Sequence, residues 1–240
     1  MHAGNGPYPG TRFRGERFQW STTEQAAIVV SLAEEMARGV RNDGVTRPGD
    51  LLLMDMGVEG RHLYTADVTR VVPVSGTFSP LQRQIYDLVY ASQQAGMDAI
   101  KPGVKFLDVH DACMRVLAEG LHDLGVLPVS VDEAMRKESI LYRRWTLHGF
   151  GHMLGIDVHD CSLARKERYR EGELAEGNVL TVEPGLYFQP EDDLVPEELR
   201  GIGIRIEDDV LVTAEGSLNL SEALPREPDA VEEWMGSLRG

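Results

Sequence analysis

Hydrophobic and polar positions follow several rhythms along the chain. Residues 1–20 are rich in Gly, Pro and Arg and lack periodicity, the signature of a flexible arm. Ser21-Thr-Thr-Glu24 is a capping box, and the apolar-rich run after it predicts a helix stopping at Gly39. From Pro48 the pattern shortens. DLLLMDMG (50–57) is an apolar run closed by Gly, which predicts a buried strand. HLYTADVTRVVPV (62–74) is rich in β-formers and predicts its partner, with the turn in VEGR. Ser79-Pro80 opens a helix as N-cap and first helical residue, running to about Ile100, where KPG ends it. FLDVHDACMRVLAEGLHDLG (106–125) has helical spacing, and a shorter helix is predicted near 131–142. WTLHG, NVLTVEPGLYF (178–188) and GIGIRIEDDVLVT (201–213) predict strands, and PDAVEEWMGSL (228–238) a final helix. Paired strands, helices and more strands make an α+β protein, a curved antiparallel sheet with helices packed on one face.

Composition narrows the class. The 240 residues, 42% of them hydrophobic, suit one soluble domain or two small ones with a core that needs no staples. Residues 1–44 carry five Arg against five Asp and Glu, so the whole net charge of −15 lies downstream. That shift divides the chain into a divergent arm and helix (1–40) and a main domain (41–240). An acidic surface repels nucleic acid and anionic membranes, so neither is an expected partner. The two cysteines, Cys113 and Cys161, form no CxxC pair, and no segment approaches 18 consecutive apolar residues. A reducing cytoplasm is the expected setting.

Chemistry enters with misplaced charge. Asp55 follows LLLM, Asp67 sits in LYTADVTRVV, Glu183 in VLTVEPGLYF and Glu207 in GIRIEDDVLV, all positions where a strand should be apolar. An ionised carboxylate there is costly unless it is paired or binds metal. The stretch TLHGFGHMLGIDVHD adds His148, His152 and His159, separated by glycines. Oxygen ligands with an imidazole suit Mn, Co, Fe or Zn, and four carboxylates are enough to hold two ions. There is no HExxH, GxSxG, Walker loop or GxGxxG ahead of a helix.

Taken in order, Asp55, ADVTR, HGFGHMLGIDVHD, TVEPGLY and GIGIRIEDD resemble the proline-directed pita-bread metallopeptidases, aminopeptidase P and prolidase, over about residues 40–225. The resemblance implies the pita-bread (creatinase/aminopeptidase-like) fold. It implies five ligands for two divalent ions, most often Mn2+: Asp55 on one, His152 and Glu183 on the other, Asp67 and Glu207 bridging. It implies removal of the N-terminal residue from peptides with proline second, by a hydroxide held between the ions, Glu183 assisting proton transfer. His148 and His159 would face the substrate and stabilise its carbonyl oxygen. Arg205 and Tyr187 would orient the ligating carboxylates. Methionine aminopeptidase shares the ligand set but not DVHD or RGIGIRIEDD, and creatinase lacks the ligands.

The sequence also departs from that family. The family's domain ahead of the catalytic one is expected to be absent, residues 1–38 are not expected to match the family's opening helices and hairpin, and the first half of the fold is expected to be incomplete. Aligning on VRNDG (40–44) puts Arg38 where the family has an active-site histidine. A permanent cation cannot shuttle a proton near neutral pH, which predicts reduced activity. Twelve residues separate Asp55 from Asp67 where many relatives have eleven, and Met56 replaces the usual Ala. The alternatives are a prolidase-type dipeptidase and a catalytically impaired domain that binds peptides or partners. An uncovered first half favours a homo-oligomer.

Overall fold

The computed structural model describes residues 45–60 and 62–238. The expected arm, the helix ending at Gly39 and Arg38 lie outside these residues. The DLLLM run forms β1 (Leu51–Glu59), antiparallel to β2 (Thr65–Pro73). β1 continues through Val58 and Glu59, so the turn comes later than VEGR, and beyond it the Gly60 N–H donates to the Tyr64 carbonyl at 2.7 Å. Side chains alternate across a strand, so Met54 and Met56 turn to the core while Asp55 faces the other way. Met56 therefore packs behind the acidic face rather than on it.

Helix α1 (Pro80–Ala99) begins with the predicted capping box, Ser79 Oγ accepting from the Gln82 N–H at 3.2 Å. Helix α2 (Phe106–Asp123) packs beside it. Gly96 of α1 faces Cys113 and Val182 so closely that a Cβ would strike the Cys113 sulfur. Gln93 on the same helix donates to the Val182 carbonyl at 3.1 Å, clamping α1 to the back of the sheet. The expected helix at 131–142 is only a turn, α3 (Val131–Ala134), and a 3-10 turn at Leu141–Arg144. Between them Ile140 takes a left-handed φ of 41°, which no helix tolerates. Helix α4 (Pro228–Ser237) buries Val231 and Trp234 against the same core.

Both long strands expected in the second half are broken, each at an acidic residue. Residues 178–188 divide into β3 (Val179–Val182) and β4 (Gly185–Tyr187), on either side of Glu183-Pro184. Residues 201–213 divide into β5 (Gly203–Arg205) and β6 (Asp208–Thr213), on either side of Ile206-Glu207. β3 pairs with β6 and β4 with β5, so the two breaks face each other. Pro184 has no N–H for the ladder, and the chain turns there from one small sheet to the next. A seventh strand, β7 (Gly216–Asn219), pairs with β6 and was not legible in the polar GSLN. WTLHG forms no strand. Residues 145–152 run beside β3 and β4 through scattered bonds, with Tyr187 N–H on the Trp145 carbonyl at 2.8 Å and Thr181 N–H on that of His152 at 2.8 Å. Gly151 permits this approach, since a Cβ there would strike the Thr181 carbonyl oxygen.

A buried ion pair joins the two halves of the sheet. Arg70 of β2 and Asp208 of β6 meet at 2.7 Å, their side chains 1% and 0% exposed. Arg70 also donates to the carbonyls of Thr69, Glu207, Leu224 and Pro225, and Gln93 donates to Asp208 at 2.8 Å. Burying one member alone leaves an uncompensated charge. Arg70→Met should therefore lower unfolding free energy by about 3–5 kcal/mol. Adding Asp208→Leu should restore part of the loss in urea denaturation of the metal-free protein.

Candidate metal centre

The β1–β2 ladder pairs Asp55 with Thr69 and Gly57 with Asp67. Asp55, Asp67 and Thr69 thus share one face, with the two aspartates as diagonal neighbours. The breaks between strands deliver the other two carboxylates to that face. The Glu183 N–H donates to the Phe150 carbonyl at 2.6 Å and the Glu207 N–H to the Thr69 carbonyl at 3.1 Å, so neither backbone continues its ladder. His152 Nε2 lies 3.5 Å from Asp67 Oδ2 and 3.5 Å from Glu183 Oε1. Its Nδ1 faces the Met153 carbonyl at 3.1 Å. A proton on Nδ1 leaves the Nε2 lone pair aimed among the carboxylates, the tautomer a metal-ligating imidazole needs. Ligand atoms of Asp67, His152 and Glu207 all lie within 4.8 Å of one another.

This concentration of acid raises the affinity of the carboxyl groups for protons. Burial, reinforced by Glu183 and Asp67, pushes Glu207 well above the usual carboxylate range. Burial also raises Glu183, although His152 and Arg205 pull the other way. Asp55 is raised by burial against the opposing pull of Arg205. Burial works against a charged His152, but Asp67, the Met153 carbonyl and Glu183 outweigh it and raise the imidazole. Hard oxygen donors, one free imidazole nitrogen and carboxyl groups that hold their charge reluctantly are a donor set that fits divalent cations.

Arg205 organises the rim. Its guanidinium bonds Asp55 through Nη2, Tyr187 Oη through Nη1 at 3.1 Å and Thr69 Oγ1 through Nε at 3.0 Å. Tyr187 Oη lies 2.6 Å from His148 Nε2, and His148 Nδ1 is 2.7 Å from the Gly149 carbonyl. Both ring nitrogens of His148 are therefore engaged, and burial lowers its basicity. His159 differs. It is exposed, its ring stands edge-on to His152 with centroids 4.5 Å apart, and it makes no hydrogen bond among the described residues. His110, half-buried beside Phe150 and Tyr142, lies apart from this cluster, and burial lowers it to about 4.

Three supporting residues escaped the sequence reading. Thr69 bonds Glu207 Oε2 at 2.5 Å. Thr181 Oγ1 accepts from the His152 N–H at 3.1 Å and reaches Glu183 Oε1 at 3.3 Å. Asp209 takes the Asp67 N–H on its carboxylate at 3.2 Å and is raised to about 7 by burial. The available signals were ADVTR and the acidic run in IEDD, where only the first acid was singled out.

A two-sheet acidic centre backed by helices defines a pita-bread fold carrying a metallopeptidase-type site, and the comparisons agree. Residues 11–214 match the model of metallopeptidase family M24, and the chain belongs to that family. It is 61% identical over 201 residues to Xaa-Pro aminopeptidase 1 of Streptomyces coelicolor, covering 84% of this chain and 40% of that protein. It is 52% identical over 232 residues to Xaa-Pro aminopeptidase 2 of the same organism, covering 96% and 49%. Among solved structures, Escherichia coli aminopeptidase P with the inhibitor Pro-Leu superposes at a TM-score of 0.76 with 41% identity, covering 83% of this chain and 44% of that one. The chain thus spans less than half the length of each of these relatives. The family match begins at residue 11, well ahead of the motif resemblance near residue 40, so the expectation that residues 1–38 fall outside the family's pattern is overturned from residue 11 onward. That earlier segment carries no misplaced charge by which motif reading could have found it.

The raised carboxyl groups set a pH dependence for the metal-free protein. A carboxyl raised in the folded state binds more protons folded than unfolded between its ordinary and its raised value, so stability falls as pH rises through that window. His110 has the opposite sign, because its depressed value makes stability rise between about 4 and 6.5. His148, also lowered by burial, acts in the same sense as His110, and the three raised acids, Glu183, Glu207 and Asp209, outweigh the two histidines. Melting temperatures of chelator-treated protein should fall from pH 5 to pH 8, and Asp209→Asn should flatten that decline.

Proposed function

We propose that this chain is the catalytic part of an Xaa-Pro aminopeptidase, with residues 41–240 forming the catalytic domain. The observation that carries the reading is the convergence of Asp55, Asp67, Glu183, Glu207 and His152 in a chain whose relatives are named for that activity. In this reading Asp55, Asp67, His152, Glu183 and Glu207 would hold two divalent ions. Mn2+ suits the oxygen-rich set, with Co2+, Fe2+ or Zn2+ able to replace it. Ions held there supply the acidification of a water and the polarisation of a carbonyl.

The chain's own residues do the rest. Glu183 accepts the proton of the attacking water on a carboxylate oxygen and returns it to the departing proline nitrogen. It is positioned by Thr181 on one side and by His148, whose Nδ1 lies 3.6 Å from Oε2, on the other. His159 is the histidine free to donate to the oxygen of the scissile carbonyl. His148 acts through Tyr187 and Arg205, which hold Asp55 in place. Arg38, standing where the family has a histidine, limits the rate. The chain works as a homo-oligomer in the cytoplasm. No described helix is long and apolar enough to cross a membrane.

Purified protein supplied with Mn2+ should cleave an Xaa-Pro-Xaa tripeptide after its first residue, and a matched Xaa-Ala-Xaa peptide far more slowly. His152→Ala should lower kcat/KM by more than about 100-fold. Cleavage confined to the Xaa-Pro dipeptide would identify a prolidase-type activity instead. Tight peptide binding without cleavage of either would identify a binding module.

A further inference from the structure

Thr69 is fully buried, and three strands meet at it. Its Oγ1 accepts from Arg205 Nε at 3.0 Å and lies 2.5 Å from Glu207 Oε2. A hydroxyl has one proton. Arg205 can only donate, so that proton points at Glu207. The same residue's carbonyl takes the Glu207 N–H at 3.1 Å and Arg70 Nη1 at 2.9 Å. Glu207 is thus tied to Thr69 by both backbone and side chain at the point where β5 gives way to β6. One lone pair of Oε2 is occupied, which leaves Oε1 and the other Oε2 lone pair to face Asp67 and His152.

We infer that Thr69 is a positioning residue that fixes the Glu207 carboxylate for divalent-ion binding and couples it to Arg205 and, through Arg205, to Asp55. The inference rests on the proposal that this cluster holds two ions. It concerns the hydroxyl rather than the shape of the side chain, so Val and Ser separate the two contributions. Val keeps the branched outline and loses the hydrogen bonds. Ser keeps the hydroxyl and loses the methyl.

The test is calorimetric titration of the metal-free full chain with Mn2+, alongside its thermal melt. Thr69→Val should weaken binding of at least one ion by about 10–100-fold, and Thr69→Ser should bind as the parent does. Where the Val variant does not fold, Thr69→Ala, which buries no added apolar group, carries the same expectation. Parent-like Mn2+ affinity in a folded Val or Ala variant overturns the inference, even if its metal-free melt is lower, because Thr69 would then serve the fold alone. A parent chain that binds two ions while these variants lose none refutes the role of Thr69 only. A parent chain that binds no Mn2+ removes the dinuclear reading and this inference with it.

Discussion

Five carboxyl groups crowded around one imidazole set the terms for the rest of the molecule. Two unit charges about 4 Å apart repel by roughly 4 kcal/mol at the effective dielectric of a protein surface. A cluster with several such pairs cannot be balanced by one arginine. The chain responds in three ways. Burial raises Glu183, Glu207 and Asp209 so that protons stay bound. Arg205 neutralises the most exposed member, Asp55. Arg70 sits beneath the cluster, paired with Asp208 and saturated by four backbone carbonyls. That ion pair is the keystone, because it joins β2, which carries Asp67 and Thr69, to β6, which begins where Glu207 ends.

The broken strands follow from the same constraint. In an unbroken ladder, alternation places successive side chains on opposite faces at fixed height. Glu183 and Glu207 must instead reach across to a face owned by β1 and β2. Interrupting β3–β4 and β5–β6 opposite each other frees both residues from the ladder. Their N–H groups then bond outside it, to Phe150 and Thr69. Pro184 enforces one break chemically, and Arg70, by capping the Glu207 carbonyl at 2.6 Å, supports the other. The breaks are therefore part of the site.

The elements that were legible in the sequence are those whose signals are local. The Ser79 cap, the apolar run of β1 and the helical spacing of α1, α2 and α4 all appear where their patterns lie. The candidate ligands were legible because a carboxylate in a strand contradicts its neighbours. What was not legible depends on partners distant in sequence. Nothing in TVEPGLY or IRIEDD says that the strand stops at its glutamate, since the reason lies in a face built more than a hundred residues earlier. Thr69 and Asp209 look like ordinary strand and acidic-surface residues until the fold places them against Glu207 and Asp67. WTLHG has strand composition, but it follows the sheet without joining it, and Gly151 just beyond it allows the close approach to Thr181.

The three histidines of TLHGFGHMLGIDVHD are separated by what already holds them. His152 has its Nδ1 side tied to the backbone and its Nε2 side open to acid. His148 spends both nitrogens, one on Gly149 and one on Tyr187. Arg205 can only donate to Tyr187, so the phenol proton must point at His148 Nε2, and the remaining ring proton must lie on Nδ1. His148 is thereby held neutral and acceptor-like toward the rim, and its influence runs through Tyr187 and Arg205 to Asp55 and, by way of Thr69, to Glu207. A continuous line of hydrogen bonds connects His148 to the carboxylates of Asp55 and Glu207. His159, braced only by its edge-on contact with His152, keeps its nitrogens for whatever enters. A motif that reads as three equivalent imidazoles thus divides into one with an Nε2 turned toward carboxylates, one bound at both nitrogens and one exposed and without a hydrogen bond among the described residues, and hydrogen-bond direction makes the division.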